Sequence, residues 1–195
     1  MFGRKNFYKN PTLAIILFFT NTSLVAAGFD CNRAETDIEK MICDNSPLNK
    51  ADEQMSKAYF QLRKVLSKSE SQLLKEDQRN WLGERNIELL HCIEPNCELY
   101  FYELRIQQLG PVEQASFNCK KAETKVEKKI CGSRLLKHAD GRVTKLYKPL
   151  QKELKQDHYN WLKNLTSSLS KSYCDTECAW QIYKDRIAFL VSYTF

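Results

Sequence analysis

The most constraining feature of this sequence is a cysteine-containing segment that occurs twice. Residues 29–36 read FDCNRAET and residues 117–124 read FNCKKAET, and 15 of the 34 positions from 29 to 62 are identical, without gaps, in 117–150. The similarity resumes at the NWL triplets of 80–82 and 160–162 and continues to 109 and 190. Each copy carries four of the eight cysteines. The chain is therefore predicted to fold as one unit of about 80 residues built twice.

The two copies are separated by Gly110-Pro111, a pair of residues that interrupts regular structure. We predict repeats at 28–110 and 111–195. The second copy is shorter by eight residues in its middle part, about two turns of helix. The two repeats are therefore expected to have similar folds but different shapes.

The segment before the first repeat has the pattern of a secretory signal peptide. Arg4, Lys5 and Lys9 precede an apolar run at 13–19, and small residues at 25–27 favour cleavage before Gly28. The alternative is a membrane anchor, but seven apolar residues span about 11 Å of a hydrocarbon core of about 30 Å. Residues 1–27 are thus predicted to be removed during export to the periplasm or beyond, leaving no integral membrane segment.

Export makes disulfides the expected state of the cysteines, because exported chains meet an oxidising environment. Units this small also gain from cross-links, at about 2–4 kcal/mol each. Equivalent local pairing in each repeat favours Cys31–Cys43, Cys92–Cys97, Cys119–Cys131 and Cys174–Cys178. Pairings that cross between these positions stay open, and no metal site is expected.

Composition points to a mostly helical protein. Together with the repeat, the cysteines and the helix signals, it predicts an all-α fold of two tandem small helical domains, each of about four helices stapled by two disulfides. Six glycines and five prolines are too few for the turns of a β-sandwich. A mean hydropathy of −0.53 excludes a multi-span membrane protein, and 43% hydrophobic residues exclude a disordered chain. Capping boxes at 36–39 and 124–127 mark helix starts. Ser46, which precedes a proline, and Ser69 predict two further starts in the first repeat, and Pro149 is expected to end or kink a helix of the second.

No set of residues has the spacing of a catalytic centre. His91, His138 and His158 occupy non-equivalent positions and none belongs to a metal-binding motif. The acids repeated in both copies, Asp52 and Asp140, are expected to form ion pairs with Arg105 and Arg186 respectively. We predict a binding protein without catalysis and without a cofactor.

Arg85 is the most distinctive candidate for a binding residue. It stands four residues after Trp81, where the second repeat has Leu165 after its own tryptophan. Stacking of the guanidinium on the indole is one interpretation. An exposed anchor for a ligand is the other.

Charge is divided unequally between the repeats. Residues 28–110 hold 11 Lys/Arg and 15 Asp/Glu, a net charge of −4, and residues 111–195 hold 16 and 9, a net charge of +7. A basic patch is predicted at the start of the second repeat, comprising Lys120, Lys121, Lys125, Lys128 and Lys129. Such a surface suits an anionic envelope component or an acidic protein better than nucleic acid, given export.

The motifs together resemble the LprI-type lysozyme-inhibitor N-terminal domain. They are the FxCxxAxTxxEKxIC pattern, the LxxAD pattern, QRNWLxxRN at 78–86, a cysteine pair and YxxRI. The resemblance covers 29–109 and, more loosely, 117–190. It implies an exported four-cysteine helical domain with a protein partner, lysozyme being the namesake's target.

From this resemblance we expect a basic side chain to enter the lysozyme cleft and pair with its two catalytic carboxylates. The candidate binding residues are Gln78, Arg79, Trp81, Arg85, Arg134 and Lys137. Since c-type lysozymes are themselves basic, the acidic first repeat is the more favourable docking face. The alternative is an envelope module that binds an anionic polymer or another protein through the basic second repeat.

Overall fold

The computed structural model describes residues 28–93 and 96–194, and the predicted signal peptide lies outside them. The first repeat forms helices α1 (Asp37–Asp44), α2 (Ser46–Val65), α3 (Lys68–His91) and α4 (Cys97–Leu109). The second forms α5 (Lys125–Gly132), α6 (Arg134–Tyr147), α7 (Lys155–Leu169) and α8 (Thr176–Val191). Strands do not occur in the described residues. The predicted all-α fold class is confirmed.

Helix starts follow the capping signals in the sequence. Thr36 and Thr124 each accept the amide of the glutamate three residues later, and that glutamate accepts the threonine amide in return. The predicted capping boxes of α1 and α5 are thus formed. Two other helices begin earlier than the sequence predicts. The N-cap of α2 is Asn45 and not Ser46, and the N-cap of α3 is Ser67 and not Ser69.

The second repeat has shorter central helices than the first. α6 has 14 residues against 20 in α2, and α7 has 15 against 24 in α3. Pro149 lies in a short 3-10 helix, Lys148–Leu150, directly after α6. Proline lacks the amide hydrogen that the next turn needs, so α6 ends where the sequence predicted.

All four sequence-local disulfides are present. The Cα–Cα distances are 5.7 Å for Cys31–Cys43 and 5.5 Å for Cys119–Cys131, pairs that tie the start of each repeat to its first helix. Cys92–Cys97 and Cys174–Cys178, at 5.9 and 5.1 Å, link the third helix region of each repeat to its last helix. The predicted local pairing is confirmed over the crossed alternatives.

The repeats pack in equivalent ways internally and also against each other. α2 lies against α4 in the first repeat as α6 lies against α8 in the second, while α4 contacts both α6 and α8 across the junction. Buried apolar residues of both repeats form one continuous cluster. The domain boundary near Gly110-Pro111 stays a prediction, because one core runs across it. Within the described residues no helix has the length and hydrophobicity to cross a membrane.

Candidate functional site

Arg85 lies inside the first repeat, not on its surface. Its side chain is 9% exposed, and its Nη1 is 3.1 Å from Asp52 Oδ1. Tyr102 donates its hydroxyl to the same oxygen at 2.7 Å. The guanidinium carbon is 5.8 Å from the Trp81 ring centroid. The stacking interpretation of Arg85 therefore holds, and the interpretation as an exposed ligand anchor was wrong, because the arginine neutralises a buried carboxylate.

The second repeat builds the corresponding position without an arginine. Asp140 accepts the Ser116 amide at 2.6 Å and the Tyr183 hydroxyl at 3.2 Å. Leu165, at the place of Arg85, is buried. In both repeats burial first, and then the neighbouring aspartate, raises the pKa of the tyrosine hydroxyl (Tyr102 and Tyr183). These hydroxyls therefore act as fixed donors that hold the aspartates in place.

The predicted ion pairs of Asp52 with Arg105 and of Asp140 with Arg186 were wrong. Arg105 Nη1 lies 2.8 Å from Asp77 Oδ2, and Arg186 Nη1 lies 2.5 Å from Asp157 Oδ2. Each arginine sits on the last helix of its repeat and meets an acid of the preceding helix. The structural role assigned to Asp52 and Asp140 remains, with different partners.

Asp77 joins the two repeats. Besides Arg105 of α4 it contacts Lys184 of α8, so one carboxylate holds a cation from each repeat. Burial alone would raise the pKa of Asp77, but these two cations bring it below its usual range. Gln78, the next residue, is buried and accepts Arg105 Nε at 3.1 Å and Nη2 at 2.8 Å. Gln78 is thus a structural partner of Arg105.

A groove of about 480 Å³ runs between α3, α4 and α8, beside this ion pair. Its walls include Trp81, Phe101 and Trp180. Trp81 stacks on Phe101 with ring centroids 5.5 Å apart and is 7% exposed, so it packs mainly as a core residue. Arg79 is exposed on the rim of the groove. Of the four candidates Gln78, Arg79, Trp81 and Arg85, Arg79 is the one that faces solvent.

The end of α3 carries apolar side chains that the packing does not cover. Ile87 is 60% exposed, Leu90 63% and Ile93, just beyond the helix, 92%. Glu84 and Glu88 are exposed on the same part of the helix. Large apolar groups grouped at one place on a surface mark an interaction site more often than scattered ones do. Sequence reasoning missed this surface. The signal was available, because Ile87 and Leu90 do not fall on the helix face formed by the buried residues Leu74, Trp81 and Leu89.

The basic candidates of the second repeat differ in availability. Arg134 is exposed and donates to the carbonyl of Val65 at 2.6 Å, and Lys137 is half-buried nearby. Lys129 donates to the carbonyls of Leu169 and Cys174, so it holds the end of α7 and does not belong to a free basic patch. The other members of the predicted patch are exposed, namely Lys120, Lys121, Lys125 and Lys128.

Among the described residues, one group of potential metal ligands lies close enough together to bind an ion. It comprises Cys92, Cys97 and Glu98, whose ligand atoms lie within 4.8 Å of one another. The two sulfurs are bonded to each other and therefore offer no thiolate. This group is a disulfide beside an acid.

Two further buried polar groups hold the junction and were not found from the sequence. Glu70 of α3 accepts the Ser133 hydroxyl at 2.6 Å and the Leu135 amide at 3.1 Å, both at the start of α6. Burial opposes ionisation, but these bonds and those from Ser67 lower the pKa of Glu70 to about 2. His138 is fully buried, and its Nδ1 accepts the Glu113 amide at 3.2 Å while Nε2 lies 3.0 Å from the Gln108 carbonyl.

We expect the protein to lose stability as pH falls from about 6.5 to 4. Burial lowers the pKa of His138 to about 4 against the hydrogen bond to Gln108, so the unfolded chain binds a proton in this window while the folded chain does not. A difference of about 2.5 pKa units corresponds to about 3 kcal/mol. Urea unfolding at pH 7, 5.5 and 4.5 measures it.

The matched comparison for this pH dependence is His138→Asn against His91→Asn. His138→Asn should flatten the slope between pH 6.5 and 4, whereas the exposed His91 should leave it unchanged. His158, whose pKa burial also lowers, adds a smaller slope that both variants retain. Equal slopes in the two variants would contradict the role of His138.

The comparisons with known proteins agree with the motifs of the first repeat. Residues 31–118 match the family model described as Lysozyme inhibitor LprI. No curated protein and no solved structure was found to match the chain. The matched range covers the first repeat from Cys31 onward and ends at Asn118, just inside the second. Together with the disulfides, this match indicates an exported protein. The resemblance of the first repeat to the LprI lysozyme inhibitor family is therefore confirmed by the family model.

Proposed function

We propose that this protein is a non-catalytic lysozyme inhibitor of the bacterial periplasm or exterior, and that it binds a c-type lysozyme through its first repeat. The observation that carries the proposal is the match of 31–118 to the LprI family. Charge favours the same repeat, because its net charge of −4 attracts a basic enzyme and the +7 of the second repeat repels it.

The surface at the end of α3 has the chemistry that such a partner needs. Ile87, Leu90 and Ile93 supply an apolar centre, and Glu84 and Glu88 supply acidic neighbours. Protein interfaces gain most of their binding energy from a few central side chains that become fully desolvated, surrounded by a polar rim. The acids steer a basic partner toward the apolar side chains.

The expected mechanism changes in one respect. Arg85 is committed to Asp52 and leaves no free guanidinium for the carboxylates of a lysozyme. Arg79, exposed on the same helix, takes its place as the basic candidate of the first repeat. Arg134 and Lys137 remain candidates at the junction.

The test measures inhibition of a c-type lysozyme that lyses a peptidoglycan suspension. Lysis is measured as the fall in turbidity of the suspension. The exported protein should slow lysis at micromolar concentration. Leu90→Arg should weaken the apparent inhibition constant by about tenfold or more, because it places a cation in the apolar centre, and one hot spot is worth about 2 kcal/mol.

Tyr173→Arg is the control for this prediction. Tyr173 is 73% exposed and lies in the second repeat, so the same new charge should leave inhibition unchanged. Absence of inhibition by the unmodified protein at micromolar excess contradicts the proposed function. Equal effects of the two arginine variants contradict the proposed surface but not the function.

The exposed lysines support a second candidate function, which is binding of an anionic envelope component. Lys120, Lys121, Lys125 and Lys128 form no ion pair with any described residue and cluster at the start of the second repeat. Sedimentation with phosphatidylglycerol vesicles tests it, with phosphatidylcholine vesicles as control. Binding should fall steeply with added salt and disappear when these lysines are changed to glutamate.

A further inference from the structure

The backbone nitrogen of Gly28 lies against a buried carboxylate. It is 2.7 Å from Asp52 Oδ2, and Asp52 is 2% exposed. The other oxygen of Asp52 is already held by Arg85 and Tyr102. Gly28 is also the residue at which the sequence predicts that the exported chain begins.

The chain at Gly28 is pressed against α2. A Cβ at this position would lie 2.7 Å from Ser56 Oγ and 3.0 Å from Ser56 Cβ. A side chain would therefore push the nitrogen away from Asp52. Glycine is the residue that allows this approach.

The second repeat supplies an internal comparison. Its equivalent residue, Ser116, donates a peptide amide to Asp140 Oδ2 at 2.6 Å, and no arginine accompanies Asp140 because Leu165 stands at that place. Ser116 lies in the middle of the chain and cannot carry a free amino group. The two repeats thus share the contact but can differ in the charge of the donor.

We propose that cleavage between Ala27 and Gly28 creates an α-ammonium group that forms an ion pair with Asp52 and completes the core of the first repeat. Hydrolysis by a signal peptidase consumes one water, leaves a carboxylate on Ala27 and leaves the protonated amine on Gly28. The new cation needs no movement of the backbone to reach Asp52, since the nitrogen already lies at hydrogen-bond distance. A charged donor makes a stronger bond than the peptide amide it replaces.

The experiment uses the full 1–195 chain, expressed with its leader, exported and purified after processing. Its intact mass should correspond to a chain that starts at Gly28. The folded protein is then acetylated at pH 7 with a limiting amount of an N-hydroxysuccinimide ester, and labelling of the α-amine is measured by peptide mass spectrometry. The ion pair should slow this labelling about tenfold relative to the urea-unfolded protein, as expected from a rise of about one unit in the α-amine pKa.

Asp52→Asn should restore fast labelling, and Asp140→Asn is the matched control that should not. Arg85→Leu copies the second repeat and keeps Asp52, so protection of the amine should persist in it even if Asp52→Asn does not fold. A mature chain that begins elsewhere overturns the proposal. So does an α-amine in the folded, unmodified protein that reacts as fast as in the unfolded chain.

Discussion

Arg105→Met should lower the free energy of unfolding by about 3–5 kcal/mol, the usual cost of removing one partner from a buried ion pair. Arg105 is 1% exposed. Besides its ion pair with Asp77, it donates to the side-chain carbonyls of Gln78 and Gln108. Methionine fills much of the volume of the arginine. However, it leaves Asp77 with one cation instead of two, and it leaves the buried side-chain carbonyls of Gln78 and Gln108 without their donor. Urea unfolding at pH 7 followed by circular dichroism measures the loss.

Lys57→Met is the matched control. Lys57 pairs with Glu53 on the surface of α2, with side-chain exposures of 66% and 37%. An exposed pair of this kind is worth less than about 1 kcal/mol. The second arm adds Arg105→Met to Asp77→Asn, where Arg105 has already lost its carboxylate partner. The loss caused by Arg105→Met should therefore be smaller in that background than in the unmodified protein. A loss below 1 kcal/mol for Arg105→Met, or the same loss in both backgrounds, would show that the ion pair does not stabilise the fold.

Glu70→Ala should cost about 2–4 kcal/mol and should loosen the contact between the repeats. One oxygen of Glu70 closes the capping box of α3 by accepting the Ser67 amide at 3.0 Å. The other accepts Ser133 and Leu135 at the start of α6. The carboxylate therefore satisfies donors at two helix N-termini, where negative charge is favoured. Alanine leaves the buried hydroxyl of Ser133 and the buried amide of Leu135 without an acceptor.

Glu76→Ala on the same helix is the control for Glu70. Glu76 is exposed and accepts an amide hydrogen from Gln72, so its loss should change stability by less than about 0.5 kcal/mol. Hydrogen exchange adds a second measurement, since the first amides of α6 should exchange faster in Glu70→Ala alone. Unchanged protection of Leu135 would contradict the shared cap.

Much of the fold follows from residues that are close together in the chain. The capping boxes at Thr36 and Thr124, the stop of α6 before Pro149 and the four disulfides each join positions at most 12 residues apart. Geometry over so short a distance depends mainly on the local backbone. Local sequence signals therefore predicted these features, although the N-caps of α2 and α3 lie one and two residues earlier than predicted.

The candidate site was predicted less well, because it depends on which helices meet. Arg85 has the residue type of a ligand anchor, but α3 turns it toward Asp52 of α2. Asp77 and Lys184, on opposite sides of the junction, are 107 positions apart. The exposure of Ile87, Leu90 and Ile93 likewise arises because α1, α2 and α4 pack elsewhere on α3.

The sequence by itself predicted that one four-cysteine helical unit is present twice and that α1 and α5 begin at capping boxes, and it favoured the local pairing of the cysteines. It also determined that the repeats differ in charge, −4 against +7. Only the tertiary structure decided that these repeats share one core, and that Glu70, Asp77 and His138 close the junction between them. The physical reason is desolvation. A buried charge must find its partner wherever the packing brings one, and that partner is set by the arrangement of helices and not by distance along the chain.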